Sequence, residues 1–229
     1  MIEASGLGKV YANGTVALKD LDLHVDRAEV LFIRGQSGAG KTTLFKLIMG
    51  MEDPSIGVLN VNGCRIGQCN SRSLRNLRRK MGVVFQDFRL IKGRSARENV
   101  ELGMRVLGVS GAEVRRRAAE YLDRLGLEDR SESRVEALSW GEQQRLVVAR
   151  ALAREPEIIL ADEPTGNLDE ELSLRVMDLL LGAHARGATV LVATHSPDIL
   201  RQTTNRVITL RRGSLVADTA VHPGGGGLQ

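Results

Sequence analysis

Apolar residues recur along the chain with two different periods, and the alternation of the two outlines an architecture. Val16–Val25 sets Leu21, Leu23 and Val25 against Asp20, Asp22 and His24, the period of two that predicts a half-exposed strand. Glu29–Arg34 is a short apolar run ending in a glycine-rich segment and predicts a second strand. Lys41–Gly50 then places Leu44, Leu47 and Ile48 at helical spacing. Within Ser55–Cys64, Asn62-Gly63 supplies hairpin turn chemistry between Val58-Leu59 and the apolar positions that follow.

Ser71–Lys80 predicts a basic helix carrying Arg72, Arg75, Arg78, Arg79 and Lys80, and Met81–Gln86 a further buried strand. From Arg94 to Arg154 the texture changes to Arg-, Glu- and Ala-rich helical segments broken at Gly108–Gly111 and Gly126. This predicts a helical subdomain over about 88–153 inside one domain spanning 1–222. Strand patterns return at Ile158–Ala161 and Ala188–Thr194, with helical spacing over Leu172–Arg186 between them. Strands alternating with helices predict a parallel sheet covered on both faces. Pro223–Gln229, with four successive glycines, is expected to be disordered.

At 229 residues, 42% apolar and 26% charged, the chain has the make-up of a globular protein with one sizeable core. Aromatics are only 3%, so Leu, Val, Ile and Ala must fill that core. No apolar run approaches the roughly 20 residues that span a bilayer. Met1-Ile2-Glu3-Ala4 lacks the basic start of a signal peptide, so a cytosolic location is expected, with membrane contact through a partner. Cys64 and Cys69 lack metal-site spacing and are expected to be reduced, structurally neutral thiols. The charge of +4 is mild. Neither Ser71–Lys80 nor Arg115-Arg116-Arg117 is interleaved with aromatics, so solvated faces are expected, with anionic headgroups nearby if a membrane partner is bound. Direct nucleic-acid binding is not expected.

Gly35-Gln36-Ser37-Gly38-Ala39-Gly40-Lys41-Thr42 fits G-x-x-x-x-G-K-[ST], with a strand before it and a helix after. Its glycines let backbone N–H groups curl around a β-phosphate, and Lys41 neutralises β/γ oxygens. The Thr42 hydroxyl suits Mg²⁺, and Thr43 sits beside an α-phosphate. Ile158–Ala161 is an apolar strand running into Asp162 and Glu163, a poor place for paired charges unless a cation or water chemistry uses them. Asp162 suits the Mg²⁺ shell and Glu163 the base that polarises an attacking water. Ser139 and Glu142 form a capping-box pattern, which leaves a helix N-terminus seeking an anion. His195 follows a strand at the sheet edge where parallel sheets bind ligands, though a lone histidine is usually structural. Gln86 alone is unremarkable, and Tyr11 is either a surface aromatic or a platform for a base.

Taken in order, these motifs resemble those of the ATP-binding-cassette (ABC) ATPases over essentially the whole chain. The resemblance implies an α/β P-loop NTPase with a RecA-like parallel-sheet core, an N-terminal antiparallel β subdomain and the helical subdomain. It also implies ATP and Mg²⁺ as cofactors, Tyr11 as the adenine-stacking aromatic and His195 as the switch histidine on the γ-phosphate. Gln86 becomes the glutamine that senses Mg²⁺ and the attacking water. Ser139–Gln144 matches the signature, whose Ser139, Gly141 and Glu142 cap the nucleotide of a second subunit, so a homodimer is expected on ATP binding. Asn167-Leu168-Asp169 matches the D-loop, which puts Asp169 among the nucleotide contacts. Trp140 replaces the first glycine of the signature pair; Ser139 and Gly141 remain, so function is expected to survive.

Phe85-Gln86-Asp87-Phe88-Arg89-Leu90 and Ala161–Asp169 together are similar to the bacterial cell-division branch of the family. That branch implies an integral membrane partner of the FtsX type, control of septal cell-wall hydrolases and a peripheral place on the cytoplasmic face of the inner membrane. Lipoprotein-release and macrolide-export members share the second run and generally lack Asp-Phe-Arg after the glutamine; they are the alternative. DNA-repair members are more remote, because no sustained heptads and no cysteine clusters separate Lys41 from Ser139.

Overall fold

The computed structural model describes residues 1–166 and 168–219, Gln202 through its backbone only. The expected disorder of 223–229, and Asn167 of the D-loop run, lie outside the described residues.

Two sheets share the chain. The first is four-stranded and antiparallel, ordered β2-β1-β4-β5, from β1 (Ile2–Val10), β2 (Val16–Val25), β4 (Ile56–Val61) and β5 (Cys64–Arg65). The second has six strands in the order β10-β9-β3-β8-β7-β6. It contains β3 (Val30–Arg34), β6 (Met81–Val84), β7 (Ile158–Asp162), β8 (Thr189–Thr194), β9 (Arg206–Arg211) and β10 (Ser214–Asp218). Only the β9–β10 pairing is antiparallel.

The near-continuous apolar runs of the central strands reflect burial on both faces. Leu31 and Ile33 of β3 join one core with Leu44, Phe45 and Ile48 of α1 (Lys41–Ile48) and the inner face of the antiparallel sheet. Val30 and Phe32 join the opposite core, with α3 (Ala96–Arg105), α4 (Gly111–Arg124), α5 (Trp140–Leu152) and α6 (Glu170–Ala185). Each large aliphatic side chain buried this way contributes about 1.5–3 kcal/mol before entropy is counted.

Three strands carried no readable signal. In β1, Gly6 and Gly8 interrupt the alternation, and its pairing with β2 shifts register between Ala4 and Leu7. The β9–β10 hairpin is arginine-bearing and shows no clean period. The basic helix appears as α2 (Ser71–Arg79), with Arg78 donating to the carbonyls of Met49 and Gly50 at the end of α1. In the Arg115–Arg117 run, Arg116 pairs with Glu113 and Glu120, and Arg117 with Glu113 and Glu155. No helix among the described residues is long and apolar enough to cross a membrane.

One expectation is corrected. Cys64 and Cys69 are joined as a disulfide rather than held as separate thiols. The hairpin turn at Asn62-Gly63 and the turn closed by Cys69 N–H on the Arg65 carbonyl fold the segment back. The two Cα atoms come within 5.8 Å, inside bridging range.

Candidate functional site

Strand register assembles the site. Arg34 of β3 pairs with Thr194 of β8, Ala193 with Asp162 of β7, and Ala161 with Val84 of β6. Gly35, His195, Glu163 and Gln86 therefore all leave the carboxyl edge of the sheet beside one another, where parallel sheets bind ligands. His195, Glu163 and Gln86 line one cleft of ≈ 620 Å³ with Gln36, Ser37, Gly38, Ala39, Gly40, Lys41, Thr42 and Thr43 of the P-loop, Asp162 and Tyr11, whereas Gly35, which opens the loop, does not line it.

The loop is backbone-built. Gly40 caps α1 at φ 107°, and a Cβ there would sit 2.7 Å from the Ala17 carbonyl oxygen. No side chain caps α1 and its first turn carries no acid, so its N–H groups and positive dipole end face the cleft. Lys41 Nζ donates to the Gly35 carbonyl at 2.6 Å and lies 3.4 Å from Glu163 Oε1. His195 Nδ1 lies 2.9 Å from the same Glu163 oxygen. Glu163 itself is left-handed, φ 50°, and its backbone N–H is tied to the Ala193 carbonyl. Tyr11 reaches the same region, its hydroxyl 3.3 Å from Thr43 Oγ1.

Thr42 Oγ1 donates to Asp162 Oδ2 at 2.6 Å. Burial pushes the Asp162 carboxyl above its ordinary range, opposed by that hydrogen bond, and Glu163 next door adds to the rise. A cation would reverse the cost. Among the described residues no cluster of three or more His, Cys, Asp or Glu could hold an ion alone. Thr42 and Asp162, with Gln86 on the same cleft, form a sparse set of hard oxygen donors. Such a set fits Mg²⁺, which keeps waters and takes substrate phosphate oxygens.

Ser139, Gly141, Glu142 and Asp169 do not line this cleft. The capping box is formed: Ser139 N–H donates to Glu142 Oε2 at 2.7 Å, and Glu142 N–H to Ser139 Oγ at 3.3 Å. The first of these bonds holds the Glu142 carboxyl below its ordinary range. Asp169 caps α6 by accepting from Leu172 N–H at 2.8 Å. The Trp140 side chain turns away onto Phe88, ring centroids 4.7 Å apart.

One supporting role escaped the sequence reading, that of Gln144 at the end of the signature run. Gln144, 1% exposed, donates from Nε2 to the carbonyls of Pro164 at 2.9 Å and Glu163 at 3.3 Å. A polar residue on the apolar face of α5 was the signal that could have found it.

Residues 18–166 match the ABC transporter family. The cell division ATP-binding protein FtsE of Escherichia coli K12 is 40% identical over 215 residues, covering 94% of this chain and 97% of that protein. FtsE of Streptococcus pneumoniae serotype 2 is 38% identical over 218 residues, 95% of each chain. The ATP-binding cassette MJ0796, solved as a post-hydrolysis dimer bound to ADP and Pi, matches with a TM-score of 0.90 at 35% identity. That match covers 98% of this chain and 100% of the other.

Proposed function

The chain belongs to the ABC transporter family and is an ATPase, and from that premise we propose that it drives a membrane-bound cell-division complex of the FtsE kind. The convergence of Lys41, Thr42, Asp162, Glu163 and His195 on one cleft carries the catalytic part. Full-length similarity to FtsE, with the run Phe85–Leu90, supports the cell-division part. The partner is an integral membrane protein of the FtsX type, and the chain sits peripherally on the cytoplasmic face of the inner membrane.

ATP phosphates lie along the P-loop amides, with the adenine on Tyr11. Thr42 and Asp162, with Gln86 nearby, would hold Mg²⁺, which would supply neutralisation of the phosphate charge. Lys41 exchanges its contact with Glu163 for phosphate oxygens, which releases the carboxylate for the attacking water. Water oxygen bonds to the γ-phosphorus, the bond to the ADP oxygen breaks, and Glu163 takes the water proton. His195 stays within reach of both Glu163 and the γ-phosphate. Ser139 and Gly141 of a second copy cap the same nucleotide, so two chains close head-to-tail on two ATP, with Glu142 and Asp169 beside them.

Glu163→Gln is expected to trap an ATP-loaded dimer in light scattering and to lower kcat about a hundredfold or more. A variant that stays monomeric with ATP and hydrolyses normally would sink the mechanism. Depletion is expected to cause filamentation; co-purification with an export permease and no division phenotype would overturn the cellular assignment.

A further inference from the structure

Helix α5 grips the segment after Gln86 at two points. At its first residue the Trp140 indole packs on Phe88 with the ring planes inclined by 56°. Further along the same helix, Arg150 donates to the Phe88 carbonyl at 2.7 Å and the Arg89 carbonyl at 2.6 Å. Burial and the charge of nearby Arg154 pull Arg150 down to about 10, so it remains a cation at neutral pH and strengthens both bonds. Phe88 and Arg89 are left-handed, φ 57° and 51°, a conformation that bulky residues keep only when their surroundings impose it. Phe88 is buried, whereas Trp140 is 58% exposed. An indole so exposed contributes little to the core, and the ring it packs on, Phe88, lies in the segment carrying Gln86.

We propose that Trp140 is a positioning residue that, stacked on Phe88, locks the Gln86 segment to the N-terminus of α5. Gln86 belongs to the chain's own nucleotide cleft, and Ser139, adjacent to Trp140, serves the other nucleotide of the dimer. The link makes the two shift as one body, so that occupancy of one cleft is felt at the other. A glycine at position 140 removes the ring contact and leaves the Arg150 hydrogen bonds to this segment in place. This inference rests on the roles given above to Gln86 and Ser139.

The test uses the full chain, steady-state hydrolysis of MgATP, binding of a non-hydrolysable ATP analogue and emission of the single tryptophan. Trp140→Gly is expected to lower kcat about threefold with the analogue Kd unchanged, and Trp140→Phe to retain the wild-type rate. Phe88→Leu, which leaves the signature untouched, is expected to give the same loss, and the double variant no further loss. The analogue is expected to shift tryptophan emission in the wild type and not in Phe88→Leu. Wild-type kcat in both Trp140→Gly and Phe88→Leu, or losses that multiply in the double variant, overturns the link. Normal hydrolysis by Glu163→Gln overturns instead the site assignment beneath it, so the two failures are separable.

Discussion

In the proposed mechanism Asp162 serves catalysis at the expense of the fold. Its carboxyl is buried at the end of β7 with one hydroxyl donor, and burial raises its pKa above the ordinary value. A carboxyl whose folded pKa exceeds its unfolded value holds extra protons in the folded chain. Stability therefore falls as pH rises from the ordinary carboxylate range through the folded value. Asp162→Asn keeps an acceptor for Thr42 and removes the buried charge. It is expected to raise Tm by about 1–4 °C in calorimetry without nucleotide and to lower hydrolysis about a hundredfold or more. At this scale the sequence was most readable where chemistry is local. A P-loop needs its glycines and Lys41 side by side, and paired carboxylates closing an apolar strand stand out. The sharing of one Glu163 oxygen by Lys41 and His195 joins three separate segments, so no spacing could announce it.

Helix α5 carries more of the site than its two ends. Periodicity makes its apolar face legible, with Leu146, Val147 and Val148 buried, but says nothing of a polar side chain turned inward. Gln144 holds the two carbonyls that follow β7, and so fixes where Glu163 points. Gln144→Ala leaves those acceptors without this donor at a cost of about 1–3 kcal/mol, read as a Tm loss of about 2–8 °C. The accompanying fall in kcat should exceed any change in KM, because Glu163, the proposed base, moves while the P-loop does not. Trp140 illustrates the same limit: its replacement of a signature glycine is visible in the sequence, its perch on Phe88 is not. The Cys64–Cys69 bond was also hidden, because only the folded-back hairpin brings the two residues together.

For the whole molecule, alternating periods were enough to predict a parallel core covered on both faces. The missing strands, β1 and the β9–β10 hairpin, are held by tertiary pairing rather than local pattern. The signature is placed outside the cleft of its own chain, as the proposed head-to-tail dimer requires. Because the cleft exists only in the assembled sheet, ATP binds the folded chain and not the unfolded one. ATP at 100 times its Kd is expected to add about 2.7 kcal/mol of stability, seen as a Tm that climbs with nucleotide in Glu163→Gln. Strand order has one more consequence, for the chain as it is made. Val30 pairs with Val190, and β7 lies on the far side of β8. A ribosome adding about 5–20 residues per second exposes Gly35–Thr42 roughly eight to thirty seconds before His195 follows. During that interval the nascent chain carries a phosphate loop with no assembled base beside it. ATP hydrolysis is thus withheld from the unfinished polypeptide by the order in which its strands are spelled.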